Sequence, residues 1–351
     1  MNEELENEQT SIPNGKSGLI ARIKAGTSTS HPETMVGIGN DAAVLSGFEE
    51  EKTLVSTSIF AEGIHFDLTY TPIKHYGYKV VVASISDILA MNALPTHIMI
   101  SLAISNKIMQ KHVLEFYDGV HAACHEYGID LIGGDLTTSR FGISISATAI
   151  GKASDYDITY RNGAHPTDLI CVTGDLGGAY MGLQLLEREK TLFNANPESQ
   201  PQLAGYDYIL RRQLKPEARE ELRKYLKAKG VKPTSMINVE SGLASELMNI
   251  CRESKTGCEI FEDRIPIHSD TRKMAQEFNI NPVVAALNGG DDYELLFTIP
   301  LKSYDKIKNN DFFKIIGSIN KLEQGSNIVM NDGAIMPLEP SLNTKTFQNA
   351  Q

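Results

Sequence analysis

Short segments that join glycine to an acidic residue, each beside an apolar run, recur along this chain. The first covers residues 37–45, where two glycines, Asn40 and Asp41 precede an apolar run that predicts the start of a buried strand. Glycine adopts positive φ at little cost and lets the backbone approach a ligand closely. Taken alone, the segment fits either an ordinary surface turn or a ligand site. The recurrence of the pattern downstream favours the ligand site, with Asp41 at the edge of a sheet.

Apolar periodicity in the first half of the chain predicts strands that alternate with helices. Residues 54–59 and 97–104 read as strands, and apolar residues spaced three and four apart predict a helix over 113–124. Residues 73–93 suit a largely buried helix that contains Asp87. This alternation is typical of an α/β layered fold.

The length of 351 residues suggests two domains, and a polar segment over residues 151–167 marks their junction. The second half again opens with a strand, followed by a glycine–acid turn at Gly174 and Asp175. We therefore predict an α/β chain of three parts, which are a mobile tail over 1–16, an N-terminal domain over 17–153 and a C-terminal domain over 154–351.

Composition and charge exclude several classes of function. The net charge of −11 argues against nucleic acid or an anionic membrane as a partner, and no apolar run is long enough to cross a bilayer. The four cysteines form no CxxC pair, and residues 1–13 are acidic and polar, which favours a cytoplasmic location. An acidic protein still binds polyphosphate when divalent cations bridge the two sets of negative charge.

Three aspartates stand out as candidate metal ligands. Asp41 and Asp135 adjoin glycine-containing segments, and Asp87 lies among apolar residues of a predicted helix, where an unpaired charge is costly. Carboxylate oxygens of this kind suit Mg²⁺ that is shared with substrate phosphates, and Gly133 and Gly134 allow backbone N–H groups to face a phosphate. Two simpler explanations stay open, an Asx turn at Asp135 and a lysine partner for Asp87. The P-loop and kinase glycine-loop patterns are absent, and no cysteine or histidine cluster fits zinc.

Six segments together resemble the thiamine-monophosphate kinase family. They are residues 37–45, AEGIHF at 61–66, SDILAM at 86–91, GGD at 133–135, SGLASEL at 241–247 and GGDDYEL at 289–295. The resemblance implies a two-domain α/β fold with mixed sheets flanked by helices, related to aminoimidazole ribonucleotide synthetase, and a homodimer whose N-terminal sheets meet. It also implies Mg²⁺-dependent transfer of the ATP γ-phosphoryl group to thiamine monophosphate, which gives thiamine diphosphate.

The resemblance also assigns roles to individual residues. It implies Mg²⁺ ligands at the positions of Asp41, Ser56, Thr57, Asp87, Asp135, Asn238 and Ser241. It implies ATP contacts at Gly134, Asp135, Arg161 and Glu240, and contacts with thiamine monophosphate at His65, Asp291 and Phe347. Because the attacking phosphate oxygen is already largely ionised at neutral pH, with a second pKa of about 6, no general base is expected. The chemistry instead requires in-line positioning and cations that offset the repulsion between two phosphates.

The chain departs from the family pattern at positions that matter for metal binding. Ser58, Asn238 and Ser241 stand where the family has aspartates, and Asn40 stands where the family has a further one. Neutral oxygens coordinate Mg²⁺ more weakly than carboxylates do. Glu240 replaces a small hydroxyl near ATP, and its charge either repels phosphate or supplies one of the missing carboxylates.

Three interpretations follow from the sequence. The first is an active thiamine-monophosphate kinase, which we favour because Asp41, Asp87, Asp135 and His65 are retained. The second is a weakened or inactive paralogue that binds nucleotide or thiamine phosphate. The third is another ATP-using relative, such as a selenophosphate synthetase or a hydrogenase maturation factor. Those relatives commonly carry a reactive cysteine near one terminus, whereas the first cysteine here is Cys124 and none lies near the C-terminus.

Overall fold

The computed structural model describes residues 22–36, 38, 44–47, 50–198 and 200–339 of the chain. The chain divides into two compact units. The first takes in positions 1–88 and 93–156, and the second takes in 89–92 and 157–351. Each unit contains a sheet with helices, and none of the described helices is long and apolar enough to cross a membrane.

The first unit is built on a mixed sheet. Its strands and helices are, in chain order, β1 (Thr34–Val36), β2 (Val44–Leu45), β3 (Lys52–Ala61), α1 (Ile73–Leu89), β4 (Leu94–Ser105), α2 (Gln110–Tyr127), β5 (Asp130–Gly133), β6 (Leu136–Ser139) and β7 (Ile143–Ala153). The main sheet has the order β3-β7-β4-β5, and β6 also pairs with β4. The β3/β7 and β4/β7 pairs are antiparallel, whereas β5 and β6 both run parallel to β4. A separate antiparallel pair joins β1 and β2.

The helices α1 and α2 pack against the apolar face of this sheet. Val80 and Ile88 of α1 are buried, and the Ile88 side chain lies against Gly151 of β7. From α2, the Tyr117 hydroxyl donates a hydrogen bond to the carbonyl oxygen of Ile100 on β4 at 3.4 Å. Burying this face removes apolar surface from water, which is the main favourable term in folding.

Strand β3 presents its residues alternately to the two faces of the sheet, as a regular strand must. Ser56 and Ser58 are partly buried on the face that α1 covers, whereas Val55, Thr57 and Ile59 lie on the opposite face. On that outer face Val55 is 64% exposed and Ile59 is 70% exposed. The outer face of the sheet therefore carries apolar side chains that remain in contact with solvent in the single chain.

The second unit is built on a larger sheet. Its strands and helices are β8 (Leu169–Thr173), α3 (Gly178–Ala195), α4 (Asp207–Leu214), α5 (Glu220–Ala228), β9 (Ser235–Val239), α6 (Leu243–Ser254), β10 (Gly257–Phe261), α7 (Ser269–Glu277), α8 (Pro282–Asn288), β11 (Glu294–Ile299), α9 (Tyr304–Ile307), β12 (Phe313–Asn320), β13 (Ser326–Val329) and β14 (Ile335–Pro337). The strand order is β14-β13-β10-β12-β8-β11-β9. Neighbouring strands are antiparallel except β10 and β13, which are parallel.

The core of the second unit lies between this sheet and helices α6 and α8. It includes the fully buried Val172, Ile237 and Leu296 of the sheet and Leu247 of α6. The two mixed sheets flanked by helices confirm the predicted α/β class. The composition of residues 190–208, which are rich in asparagine and proline, predicts a loop, but α3 continues to Ala195.

Candidate active site

Asp87 meets a hydroxyl of the sheet near the end of α1. The Ser56 hydroxyl donates a hydrogen bond to Asp87 Oδ2 at 2.9 Å, and both residues are partly buried. Ser58 lies on the same face of β3, two residues further along. Asp87 therefore has a serine contact on the sheet, and one carboxylate and one hydroxyl oxygen are placed together here.

Thr57 lies on the other face of the strand. Its hydroxyl donates to the carbonyl oxygen of Ala147 at 3.3 Å and shares a hydrogen bond with the Thr148 hydroxyl at 3.2 Å. The hydroxyls of Ser56 and Thr57 are thus on opposite sides of the sheet, because side chains alternate along a strand. The structure does not bring the Thr57 side chain beside Asp87, which leaves the backbone carbonyl as the only oxygen of Thr57 suited to the expected metal role.

Gly134 and Asp135 interrupt the strand that β5 and β6 would otherwise form beside β4. Gly134 has a φ of 153°, and a Cβ there would lie 1.8 Å from the carbonyl oxygen of Ile100. Asp135 is exposed, and its Oδ1 accepts a hydrogen bond from the Leu136 N–H at 2.8 Å. Its own carbonyl oxygen accepts from the Leu102 N–H at 2.8 Å. Only glycine fits the close approach at position 134, which presents Asp135 at the surface.

His65 is exposed on the turn that follows β3. Its Nδ1 accepts a hydrogen bond from the Ala61 N–H at 3.1 Å, and its ring meets Phe60 edge-on at 5.9 Å between centroids. Because Nδ1 is an acceptor, the neutral ring carries its proton on Nε2. The turn therefore orients a histidine that can donate a hydrogen bond from Nε2.

In the second unit, two motif segments are joined through their backbones. Asn238 is buried on β9, and Glu240 and Ser241 are exposed just after it. The carbonyl oxygen of Glu240 accepts a hydrogen bond from the Asp291 N–H at 2.8 Å. The Ser241 N–H donates to Glu246 Oε1 on α6 at 3.1 Å. The structure thus brings the segment around Glu240 next to the segment around Asp291.

Arg161 has an exposed side chain just before β8. Its backbone carbonyl oxygen accepts hydrogen bonds from the hydroxyls of Ser235 at 2.8 Å and Ser254 at 3.1 Å. These contacts fix the backbone at Arg161 against β9 and α6, and the guanidinium stays at the surface of the second unit.

Two arginines that the sequence did not single out, the buried Arg212 and the partly buried Arg219, surround Glu294. Arg219 donates from Nε to Oε2 and from Nη2 to Oε1, both at 2.6 Å, and Arg212 Nη1 lies 2.9 Å from Oε1. The Thr173 hydroxyl donates to Oε2 at 2.6 Å. Burial by itself raises the pKa of Glu294, but the two guanidinium groups outweigh it and hold that pKa below its usual value. In the sequence these two arginines are isolated residues far from 289–294, so nothing there indicated that they contact Glu294.

Asp292 is the second buried carboxylate of this segment. Its Oδ2 accepts from the Gly177 N–H at 2.8 Å and its Oδ1 from the Ala179 N–H at 3.4 Å, at the start of α3. Arg212 Nη2 lies 3.5 Å from Oδ1. Complete burial raises the pKa of Asp292 to about 7, and the nearby Arg212 offsets only part of this effect.

Two residues of the predicted site, Asp41 and Phe347, lie outside the described residues, as does Asn40 beside Asp41. Among the residues that the structure does describe, no three acidic, histidine or cysteine side chains gather closely enough to hold a metal ion. The described contribution of the first unit to the predicted metal site is therefore the Ser56–Asp87 pair, with Asp135 at the interruption between β5 and β6.

Comparison with known proteins identifies relatives over most of the chain. Residues 39–153 match the family model for the N-terminal domain of AIR synthase related proteins. The thiamine-monophosphate kinase of Bacillus subtilis strain 168 is 32% identical over 278 residues, which cover 79% of this chain and 82% of that relative.

Solved structures of similar proteins agree with this. The thiamine-monophosphate kinase of Stenotrophomonas maltophilia K279a superimposes with a TM-score of 0.74 at 28% identity, over 90% of this chain and 96% of that one. A structure described as AaThiL complexed with AMPPCP and TMP has a TM-score of 0.71 at 28% identity, over 93% of this chain and 95% of that one. The chain belongs to the thiamine-monophosphate kinase family.

Proposed function

We propose that this protein transfers the γ-phosphoryl group of ATP to thiamine monophosphate and so produces thiamine diphosphate. Sequence similarity to thiamine-monophosphate kinases supports this reaction, and the structure of the related AaThiL contains AMPPCP together with TMP. The structural observation that carries the proposal in this chain is the Ser56–Asp87 pair at 2.9 Å. The pair brings a carboxylate oxygen and a hydroxyl oxygen together, and hard oxygen atoms of this kind suit a metal site that binds phosphate.

The proposed chemistry needs no general base. The attacking group is a phosphate oxygen of thiamine monophosphate, which is largely ionised near neutral pH because its second pKa is about 6. The protein has to hold donor and acceptor in line and to offset the repulsion between two anions. Direct in-line transfer predicts inversion of configuration at the γ-phosphorus.

The donor set fits Mg²⁺ that is held largely by the substrates. Mg²⁺ in phosphoryl-transfer sites is commonly bound through one or two carboxylates plus substrate phosphates. Asp87 and the Ser56 hydroxyl would hold it in the first unit, together with Asp41, Asp135 and the Thr57 carbonyl oxygen. When bound, the ion neutralises negative charge on the phosphates. Metal roles for Asn238 and Ser241 of the second unit belong to the same proposal.

We assign nucleotide and substrate contacts to separate sets of residues. For ATP they are Gly134, whose backbone has no room for a side chain, with Asp135, Arg161 and Glu240. For thiamine monophosphate they are His65, Asp291 and Phe347. The guanidinium of Arg161 suits a phosphate because its planar fork matches phosphate oxygens. The His65 ring suits a hydrogen-bond acceptor of the substrate because Nε2 carries the proton.

A non-catalytic protein that binds nucleotide or thiamine phosphate is the second candidate. Two observations favour it. Ser58, Asn238 and Ser241 are neutral at positions where the family resemblance implies aspartates. Among the described residues, which leave out Asp41, no three acidic, histidine or cysteine side chains cluster as a metal site. A site with fewer carboxylates binds Mg²⁺ more weakly, so the substrate phosphates must supply a larger share of the metal ligands.

Calorimetric binding and turnover, measured on the same preparation, separate the two candidates. The purified protein is titrated with thiamine monophosphate and then assayed with ATP over a wide range of Mg²⁺ concentrations. Formation of thiamine diphosphate supports the kinase. Binding of thiamine monophosphate without turnover at any Mg²⁺ concentration rejects the kinase and supports the non-catalytic protein.

We also propose that the protein is a homodimer joined through the outer face of the first unit's sheet. Val55 and Ile59 are 64% and 70% exposed on that face, and the hydroxyls of Thr57 and Thr148 lie between them. Exposed apolar residues on a sheet face are typical of an interaction surface. A cytoplasmic location is part of the proposal and is favoured by the four buried, unpaired cysteines.

A further inference from the structure

The segment 289–294 holds Asp291 next to two buried carboxylates. Asp291 is partly exposed, whereas Asp292 and Glu294 are fully buried. The backbone of Asp291 has a φ of 59° and that of Tyr293 a φ of 52°, both in the left-handed region that favours glycine. A non-glycine residue keeps such a conformation only when surrounding contacts impose it.

Arg212 supplies several of these contacts from α4. Its Nη1 binds Glu294 Oε1 at 2.9 Å, and its Nη2 donates to the carbonyl oxygens of Asp175 at 2.8 Å and Asp292 at 3.3 Å. One planar group therefore ties the turn after β8 to both ends of the segment 292–294. Arg212 is 5% exposed, so these hydrogen bonds are shielded from water.

Arg219 and the turn after β8 close the other side. Arg219 binds both oxygens of Glu294 in a fork, an arrangement that fixes direction as well as distance. A Cβ at Gly174 would lie 2.3 Å from Glu294 Oε1, so this turn packs directly on the carboxylate. Glu294 is held from three elements, and the chain direction just before it is fixed as a result.

We propose that Arg212 and Arg219 are positioning residues for thiamine monophosphate, because through Glu294 and Asp292 they impose the backbone conformation that presents Asp291. The substrate role of Asp291 rests on the proposed function, whereas the arginine contacts do not. The segment 238–241 has its own anchor, since the Ser241 N–H donates to Glu246. The contacts proposed for ATP at Glu240 therefore depend less on the two arginines than the contact at Asp291 does.

Arg212→Lys and Arg219→Lys test this inference in the full-length protein. Lysine keeps the charge but loses the planar fork, and a polar cavity of about 230 Å³ that both arginines line leaves room for the replacement. Arg211→Lys is the matched control, because Arg211 is the neighbour of Arg212 and has a side chain that is 58% exposed. Three quantities are measured for each variant: KM for each substrate, kcat, and hydrogen–deuterium exchange over residues 289–294.

We expect both variants to raise KM for thiamine monophosphate about tenfold, with KM for ATP changed less than about threefold, because misplacing one contact weakens the substrate it serves. Backbone exchange over 289–294 is expected to rise in both variants and to stay unchanged in Arg211→Lys. A purely structural role would lower kcat through loss of folded protein and leave KM unchanged.

Unchanged exchange and unchanged KM in either folded variant would overturn the inference. If one variant does not fold, the other decides the question. If the unmodified protein does not phosphorylate thiamine monophosphate, the proposed function fails, and the exchange measurement still tests whether the arginines hold Asp291.

Discussion

The Ser56 hydroxyl lies 2.9 Å from a carboxylate oxygen of Asp87, so a hydrogen bond joins strand β3 to helix α1. Burying a carboxylate is costly unless hydrogen bonds, opposite charges or a bound ligand replace the lost contacts with water. This pair makes the edge of the first sheet the most informative place to test metal-dependent chemistry.

Asp87→Asn is expected to lower kcat/KM at fixed Mg²⁺ by roughly 100-fold or more, since even indirect partners of metal ligands cost 10–100-fold when they are changed. The amide keeps the shape and the hydrogen bond from Ser56 but loses the charge. The measurement is steady-state kinetics over a range of Mg²⁺ concentrations. Asp118→Asn on the exposed side of α2 is the control and should match the unmodified protein. Equal activity of the two variants would rule out Asp87 as a metal ligand.

Ser58→Asp is expected to lower the Mg²⁺ concentration needed for half-maximal activity. The new carboxylate would lie on the same face of β3 as Ser56, where the chain now has a neutral oxygen. Ser58→Asn adds a side chain of the same size without charge and should leave the Mg²⁺ requirement unchanged. Combining Ser58→Asp with Asn238→Asp and Ser241→Asp should raise activity further. No gain in the triple variant would show that missing charge does not limit this site.

Gly134→Ala is expected to destabilise the protein by about 2 kcal/mol or more, in the range of forced overpacking. The added Cβ would lie 1.8 Å from the carbonyl oxygen of Ile100, so the backbone between β5 and β6 must move. The measurement is urea unfolding. Gly47→Ala is the control because no atom of the described residues lies within 4 Å of a Cβ there. Similar midpoints for the two variants would contradict the close approach at Gly134.

Ile59→Asp is expected to convert the proposed dimer to monomers, because it places a charge on a sheet face that the dimer would bury. Sedimentation velocity at several protein concentrations measures the change. Val284→Asp, which alters another exposed apolar residue on α8, should leave the association state unchanged. A protein that is monomeric before any substitution, or still dimeric after Ile59→Asp, would reject this interface.

Asp292→Asn is expected to flatten the dependence of stability on pH between about 4 and 7. The pKa of Asp292 is about 7 in the folded protein against 3.8 for an ordinary aspartate, so the folded state binds more protons across this window. The contribution of Asp292 to the free energy of unfolding is therefore largest below pH 4. It is lost as the pH rises toward 7, with a slope of at most about 1.4 kcal/mol per pH unit.

Urea unfolding at several pH values compares Asp292→Asn with the unmodified protein and with Asp263→Asn, which changes an exposed aspartate. The difference between variants isolates Asp292, since the other titrating groups are common to all three proteins. Parallel curves for Asp292→Asn and the unmodified protein would contradict the raised pKa.

The sequence predicted the α/β class because strand and helix periodicities are local properties that survive into the folded structure. The helix over 73–93 was predicted nearly in full, and it ends at Leu89 because Asn92 turns the chain with a φ of 55°. The glycine pair before Asp135 singled out Gly134 in the sequence, and the structure shows that its backbone approaches the carbonyl oxygen of Ile100 closely. The expected contact with a phosphate stays a prediction.

Two features of the candidate site depend on tertiary structure and could not be predicted from the sequence. Ser56 and Thr57 are adjacent hydroxyl residues, and the sequence does not show which of them contacts Asp87. The packing of β3 on α1 decides that Ser56 does. Arg219 is 75 residues from Glu294 in the sequence, and Arg212 is still further away. No periodic pattern of residues connects these arginines with Glu294. Such long-range ion pairs become visible only when the elements are assembled.

Phosphorus NMR of the purified protein with ATP, Mg²⁺ and thiamine monophosphate tests the central proposal most directly. Following the signals over time shows which phosphates are consumed and which are formed. The proposed function predicts thiamine diphosphate and ADP in equal amounts, with no release of inorganic phosphate beyond the rate without protein. Unchanged thiamine monophosphate at every Mg²⁺ concentration, or ADP that forms with inorganic phosphate alone, would contradict it.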